Sequence, residues 1–199
     1  MRRVVVSEFM SLDGVVEDPG GAEKSRYGGW TWPYWSDDIG KFKNEELFSG
    51  GALLLGRHTY EGFAAAWPTM KDEWGFADRM NGLPKHVATR TLKEFSWNNS
   101  HPIEGGVAEE VAKLKKQPGQ DILVFGSAML VQELMHHGHV DEYRLLVYPV
   151  VLGGGKRLFG DDVGASLKLV DTKPFSKGVV ALTYHSAPPP AAAEHPFKH

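Results

Sequence analysis

Two short segments carry residue types that can grip an anion. In the first, Leu53-Leu54-Leu55 runs into Gly56, and Arg57-His58-Thr59 opens a stretch that reads as a helix. The glycine allows close approach of a ligand, the new helix offers free N–H groups at its positive pole, and the guanidinium adds a bidentate donor. That set suits a phosphate. In the second, Ile122-Leu123-Val124-Phe125 runs into Gly126-Ser127 ahead of Ala128-Met129. Each junction alone also fits an ordinary strand-to-helix turn. Two of them on one sheet can hold the two ends of a dinucleotide. Thr89-Arg90 forms a third basic turn, where Arg90 could meet an adenosine 2′-phosphate; a solvated loop arginine fits equally well.

Other chemistry is concentrated near the amino terminus. Tyr27, Trp30, Trp32, Tyr34 and Trp35 crowd one loop, and such a wall suits a flat heterocycle and excludes water during hydride transfer. A loop that merely caps the core would bury tryptophans too. Asp38 follows directly. Beside aromatic surface its carboxyl is expected to have a raised pKa and to donate a proton or anchor a ring, although first-turn acids are also favoured by the helix dipole. Asp13-Gly14 is a turn signal. Gly153-Gly154-Gly155-Lys156-Arg157 could approach a phosphate or shape a dimer contact, but it lacks the helix start of a nucleotide-hydrolysing loop. The nine histidines show no metal-type spacing, and no metal is expected.

These residues need a scaffold that brings strand ends together. Arg3 to Phe9 reads as a buried strand, Met10 to Pro33 as a long loop, and Ser36 as the N-cap of a helix with Ile39, Phe42 and Leu47 on one face. Ala52 to Leu55, Lys85 to Ala88, Trp97 to Ile103 and Ile122 to Phe125 read as strands. Arg57 to Ala66, Met70 to Gly82, the stretch around Val107, Val111 and Leu114, and Ala128 to His137 read as helices. After Gly138 strands follow one another without helices. The pattern is α/β: a three-layer sandwich around a mixed, mostly parallel sheet with an antiparallel C-terminal finish. Ligands in such sheets sit beyond the carboxyl ends of the parallel strands. Residues 1–186 are expected to form the domain and the Ala/Pro-rich 187–199 a disordered tail.

The chain has 199 residues, 42% of them hydrophobic and 24% charged, with a net charge of -3 and no cysteine. The balance argues against nucleic acid as a partner, and the missing thiols exclude disulfides and thiolate chemistry. No apolar run reaches membrane-spanning length and no signal-peptide core is visible, so a cytoplasmic location is expected.

The order of Ser11-Leu12-Asp13-Gly14, Leu55-Gly56-Arg57-His58-Thr59-Tyr60-Glu61, Val124-Phe125-Gly126-Ser127, Val140-Asp141-Glu142-Tyr143 and Pro149-Val150-Val151-Leu152-Gly153-Gly154-Gly155 resembles the dihydrofolate reductase superfamily. Within it the chain is most similar to the C-terminal reductase domain of the bacterial riboflavin-pathway deaminase–reductase, as a stand-alone relative. The resemblance covers roughly residues 3–184. It implies a dihydrofolate-reductase-like fold and NADPH as hydride donor. Gly56, Arg57, His58 and Thr59 would face the cofactor phosphates, Gly126, Ser127, Ala128 and Met129 would lie beneath the diphosphate, and Thr89 and Arg90 at the adenosine end. Asp38 would correspond to the ring-binding carboxylate, with Asp13 near the nicotinamide and Trp30, Trp32 and Trp35 toward the substrate. A long aromatic insertion before Asp38 and the absence of the usual Pro-Trp pair set the chain apart from folate reductases. The expected activity is hydride transfer to a pterin- or aminopyrimidine-like ring by a homodimer. A non-catalytic NADPH or metabolite binder is the alternative.

Overall fold

The computed structural model describes residues 1–161 and 164–189. The branched run Val4-Val5-Val6 opens β1 (Val4–Ser11), which is buried on both sides as the central strand of a covered sheet should be. Around it lie β2 (Gly50–Gly56), β3 (Lys85–Ala88), β4 (Ser100–Pro102), β5 (Asp121–Phe125), β6 (Glu142–Tyr148), β7 (Ser166–Pro174) and β8 (Val180–Ala187). The order across the sheet is β4-β3-β2-β5-β1-β6-β8-β7. All pairings up to β1–β6 are parallel, whereas β8 runs antiparallel to β6 and β7 antiparallel to β8. The expected mixed sheet with an antiparallel C-terminal finish is therefore the one formed.

Helices cover both faces. Val4, Val6, Leu54, Ile122 and Val124 pack against Val111 and Leu114 of α4 (Val107–Lys116) and Val131 and Leu134 of α5 (Ala128–His136). Val5, Leu53, Leu55 and Leu123 point the other way. They meet Leu47 of α1 (Asp37–Ser49), Tyr60 of α2 (Arg57–Ala66) and Met80 of α3 (Phe76–Gly82). The period-two alternation of strand side chains divides the core into these two layers. Helix α1 passes into β2 without a loop. Gly50 permits this, because a Cβ there would stand 2.4 Å from Leu123 Cδ1.

Three expectations need correction. Helix α3 starts at Phe76, not Met70: the Asp72 carboxylate accepts the N–H groups of Trp74, Phe76 and Ala77, forming a turn ahead of the helix. The strand expected over Trp97 to Ile103 shrinks to Ser100–Pro102. Trp97 instead turns into the core, its ring nitrogen donating to Asn81 Oδ1 at 2.7 Å and its face covered by the buried Lys85 ammonium. At the C-terminal end Ala187 still pairs with Ser166, so β8 enters the segment expected to be tail. Residues 190–199 of that tail lie outside the described residues.

Candidate functional site

The carboxyl edge of the parallel sheet gathers the expected cofactor residues in one line. With β3, β2, β5 and β1 adjacent in that order, Thr89-Arg90, Gly56 to Thr59, Gly126 to Met129 and Asp13 follow one another along the edge. At the usual strand spacing they cover about 15 Å.

The two glycine-led junctions touch. Ser127 Oγ donates to Thr59 Oγ1 at 2.8 Å and accepts the Gly56 N–H at 2.9 Å. The glycines leave room for this contact, since a Cβ on Gly126 would stand 2.8 Å from Thr59 Oγ1 and one on Gly56 3.1 Å from Ser127 Oγ. Gly126 has φ +58 and Ser127 φ +65. The second is a strained value for a residue with a Cβ. Neither glycine N–H faces a ligand, because Gly56 donates to Ser127 and Gly126 donates to the Glu8 carboxyl. The anion-binding capacity passes to the first turns of α2 and α5, neither of which has a side-chain cap. Their N–H groups, at Arg57 to Thr59 and at Ala128 and Met129, are the ordinary orphans of a helix start. The Thr59 hydroxyl keeps its own proton for a further acceptor.

Arg57 is held loosely, 3.9 Å from Glu61 and 3.3 Å from His58 Nε2. Thr89 Oγ1 accepts the N–H groups of Thr91 and Leu92, which folds the turn after β3 and leaves Arg90 exposed beside it.

The two expected catalytic acids are both tied into loops by hydrogen bonds to their charged forms. Asp38 accepts from the Ser36 hydroxyl, the Ser176 N–H and hydroxyl, and the Ile39 N–H. These bonds to the charged form, the Ser36 hydroxyl first, hold its pKa down at about 2. The raised pKa expected for it is not found; its hydrogen bonds hold the carboxyl in the charged form instead. It is an ionised clamp between α1 and the 176–178 turn. Asp13 is held at about 2 by the Ser11 hydroxyl and the Leu152 and Gly153 N–H groups. It ties the loop after β1 to the loop after β6. The triple glycine therefore folds onto Asp13 and Glu17, with Lys156 N–H donating to Glu17 at 3.1 Å.

The aromatic loop also divides. Trp30 is buried, donates to the Glu17 carbonyl at 3.0 Å and packs edge-on against Tyr148 at 5.4 Å. It belongs to the core and cannot line an open wall. Trp32 is 60% exposed and lies 6.0 Å from Trp35, so this pair remains available at the rim.

Glu8 and Lys43 were not expected. Glu8 stands on β1 behind Gly126, 5% exposed, with Oε1 lacking any hydrogen-bond partner. Burial pushes its pKa well above the usual 4.5; the Lys43 charge and the Gly126 N–H oppose the shift only in part. On the opposite face of β1, the Lys43 ammonium binds Ser7 Oγ and the Glu46 carboxylate and lies over the rings of Phe9 and Phe125. The signal was present as a charge within an apolar central strand. Buried acids are rarely retained without a reason.

The description "RibD C-terminal domain" belongs to a family model that matches residues 2–181. The chain belongs to this family. Protein YyaP of Bacillus subtilis is 35% identical over 191 residues, 92% of this chain and 95% of the relative. Among solved structures, a putative riboflavin biosynthesis protein from Shewanella sp. PV-4 superposes with a TM-score of 0.72 at 20% identity, covering 94% of this chain and 99% of that one. Dihydrofolate reductase from Enterococcus faecalis, solved with NADP(H), gives 0.60 at 18% identity over 92% of this chain and 96% of that one. The dihydrofolate-reductase-like fold is thus shown. Among the described residues no helix is long and apolar enough to cross a membrane, and no cluster of three His, Asp or Glu side chains could hold a metal.

Proposed function

We propose that the chain is an NADPH-dependent reductase acting on a small heterocycle of pterin or aminopyrimidine type. The observation that carries this is the direct contact of the two glycine-led junctions through Thr59 and Ser127, which merges two uncapped helix starts into one anion site. The family membership and the NADP(H) bound by the E. faecalis enzyme support the same reading.

The residues present fit a dinucleotide. The N–H groups opening α2 and α5 and the Arg57 guanidinium would bind the diphosphate, and Arg90 the 2′-phosphate. Bound NADPH would supply the hydride. Trp32 and Trp35 would cover the reacting ring and exclude water. Asp13 and Asp38 fix the loops that carry these groups. Homodimerisation belongs to this proposal and is checked by analytical ultracentrifugation.

Tryptophan fluorescence tests the cofactor step. Quenching by NADPH should saturate, and NADH should bind far more weakly; an equal, negligible response to both removes the proposal. Loss of NADPH absorbance with pterins, aminopyrimidines or carbonyl compounds then tests turnover. The second reading, a non-catalytic NADPH or metabolite binder, is favoured by the closed packing of Trp30 on Tyr148. Saturable binding without oxidation across that panel would establish it.

A further inference from the structure

The amino ends of the parallel strands carry a second cationic site. Arg2 precedes β1, and Arg79 lies in the last turn of α3. The two guanidiniums meet at Gln120, just before β5. Arg2 Nε donates to the Gln120 carbonyl at 2.7 Å, and Arg79 Nη2 reaches the Gln120 side-chain oxygen at 3.4 Å. Both line a cleft of about 500 Å³ whose walls include Gly51, Leu83, Pro84, Pro118 and Gly119.

This charge is poorly compensated. Arg2 is 8% exposed, and burial lowers its pKa against the weaker pull of Asp121. Asp121 is already engaged by Arg3 at 2.5 Å. Among the described residues neither Arg2 nor Arg79 forms an ion pair, and no carboxylate lines the cleft. Arg79 Nη2 also caps the Gly50 carbonyl at the end of α1, at 2.6 Å, yet its Nε is buried without any partner. Capping accounts for one bond of Arg79 and for nothing at Arg2. A desolvated guanidinium is costly unless an anion completes its donor set.

We propose that this cleft binds a phosphorylated small molecule, its phosphate held between Arg2 and Arg79. Two converging cations match a dianion better than a single carboxylate. The volume exceeds what inorganic phosphate needs and falls in the size class of small-molecule sites. Leu83, Pro84 and Pro118 offer apolar surface to the remainder of the ligand. The site lies on the opposite edge of the sheet from Gly56 and Gly126, so it stands independently of the cofactor reading.

Calorimetric titration with ribose 5-phosphate at constant ionic strength tests it, with ribose as the uncharged control. Binding should saturate with a Kd below about 1 mM, persist unchanged under saturating NADPH, and be absent for ribose. Arg2→Gln and Arg79→Gln should each weaken it about tenfold or more. Gln120→Glu should abolish it while raising the melting temperature, because the new carboxylate would occupy the anion's place between the two guanidiniums. That variant gives a decisive readout even where an arginine variant fails to fold. Absence of saturable binding, displacement by NADPH, or wild-type affinity in Gln120→Glu would overturn the proposal.

Discussion

The two edges of the parallel sheet both offer groups that can take an anion, and they do so by different means. At the carboxyl edge the donor set comes mainly from backbone: the opening turns of α2 and α5, brought together by Ser127 and Thr59, with the Arg57 guanidinium beside them. At the amino edge it comes from side chains, Arg2 and Arg79, gathered by Gln120. Backbone donors are fixed by the fold and lose little freedom on binding. Side-chain donors are adjustable but must be desolvated and held. The carboxyl edge is therefore built for one geometry of ligand, and changing Gly126 should do more damage than changing Gly82 at the other edge.

The largest effect is expected from Gly126→Val. At φ +58 a β-branched residue is strongly disfavoured, and its Cβ would lie 2.8 Å from Thr59 Oγ1. Strain and overpacking together should remove about 3 kcal/mol of stability in urea unfolding, and NADPH affinity should fall with it. Gly82→Ala, at the amino edge, has nothing within 4 Å of the added Cβ and should leave both quantities as they are. Equal effects of the two substitutions would erase the contrast between the edges.

Arg57→Ala comes next. Loss of a charge-assisted contact to phosphate should weaken NADPH about 10- to 100-fold, read by fluorescence titration. The melting temperature should hold, since the wild-type side chain's ion-pair contact is a loose one at 3.9 Å. Unchanged affinity would place the phosphates elsewhere on the edge.

This contrast also explains what could be read from the chain alone. The carboxyl-edge site is written in local order, an apolar strand, a glycine and then a helix start, and so Gly56 to Thr59 and Gly126 to Met129 were visible. The use of the two glycine N–H groups was not, because Ser127 and Glu8 reach them across 71 and 118 residues of sequence. Asp38 misled for a related reason: its neighbours in sequence are aromatic, but Ser176, 138 residues away, supplies bonds that keep it ionised. The amino-edge site left no local trace at all. Arg2, Arg79 and Gln120 have no shared motif, and only the strand order brings them together. Trp97 lies in a segment that reads as a strand, and tertiary burial against Asn81 and Lys85 prevails over that pattern.

Glu8 sharpens the comparison from inside the carboxyl edge. Its pKa in the folded chain is raised above the usual 4.5 by burial. The unfolded chain therefore gives up that proton first as pH rises. The stability contribution of the neutral acid is complete below about 4.5 and is lost as pH climbs through the folded value. Glu8→Gln keeps an acceptor for the Gly126 N–H and removes the titration. Melting temperature against pH should fall on the alkaline side in the wild-type chain and run flatter in the variant, by a few degrees at about pH 8. Parallel curves would mean that Glu8 is ionised in the fold. The Lys43 ammonium would then be stabilising it across β1.

The smallest effect is expected at Asp38, and its direction separates an ionised clamp from a catalytic acid. With its pKa depressed to about 2 by the Ser36 hydroxyl and the Ser176 groups, the carboxylate is charged in both folded and unfolded chains near neutrality. Its contribution is present above the ordinary value of 3.8 and is lost as pH falls toward about 2. Asp38→Asn should therefore flatten the acid limb of the stability curve slightly. The pH profile of NADPH oxidation around neutrality should keep its shape, because no proton leaves or enters Asp38 there. A proton donor would behave otherwise: its removal would delete one limb of the rate profile while leaving acid stability unchanged. Should that second pattern appear, the clamp between α1 and the 176–178 turn must open during turnover to expose the carboxyl.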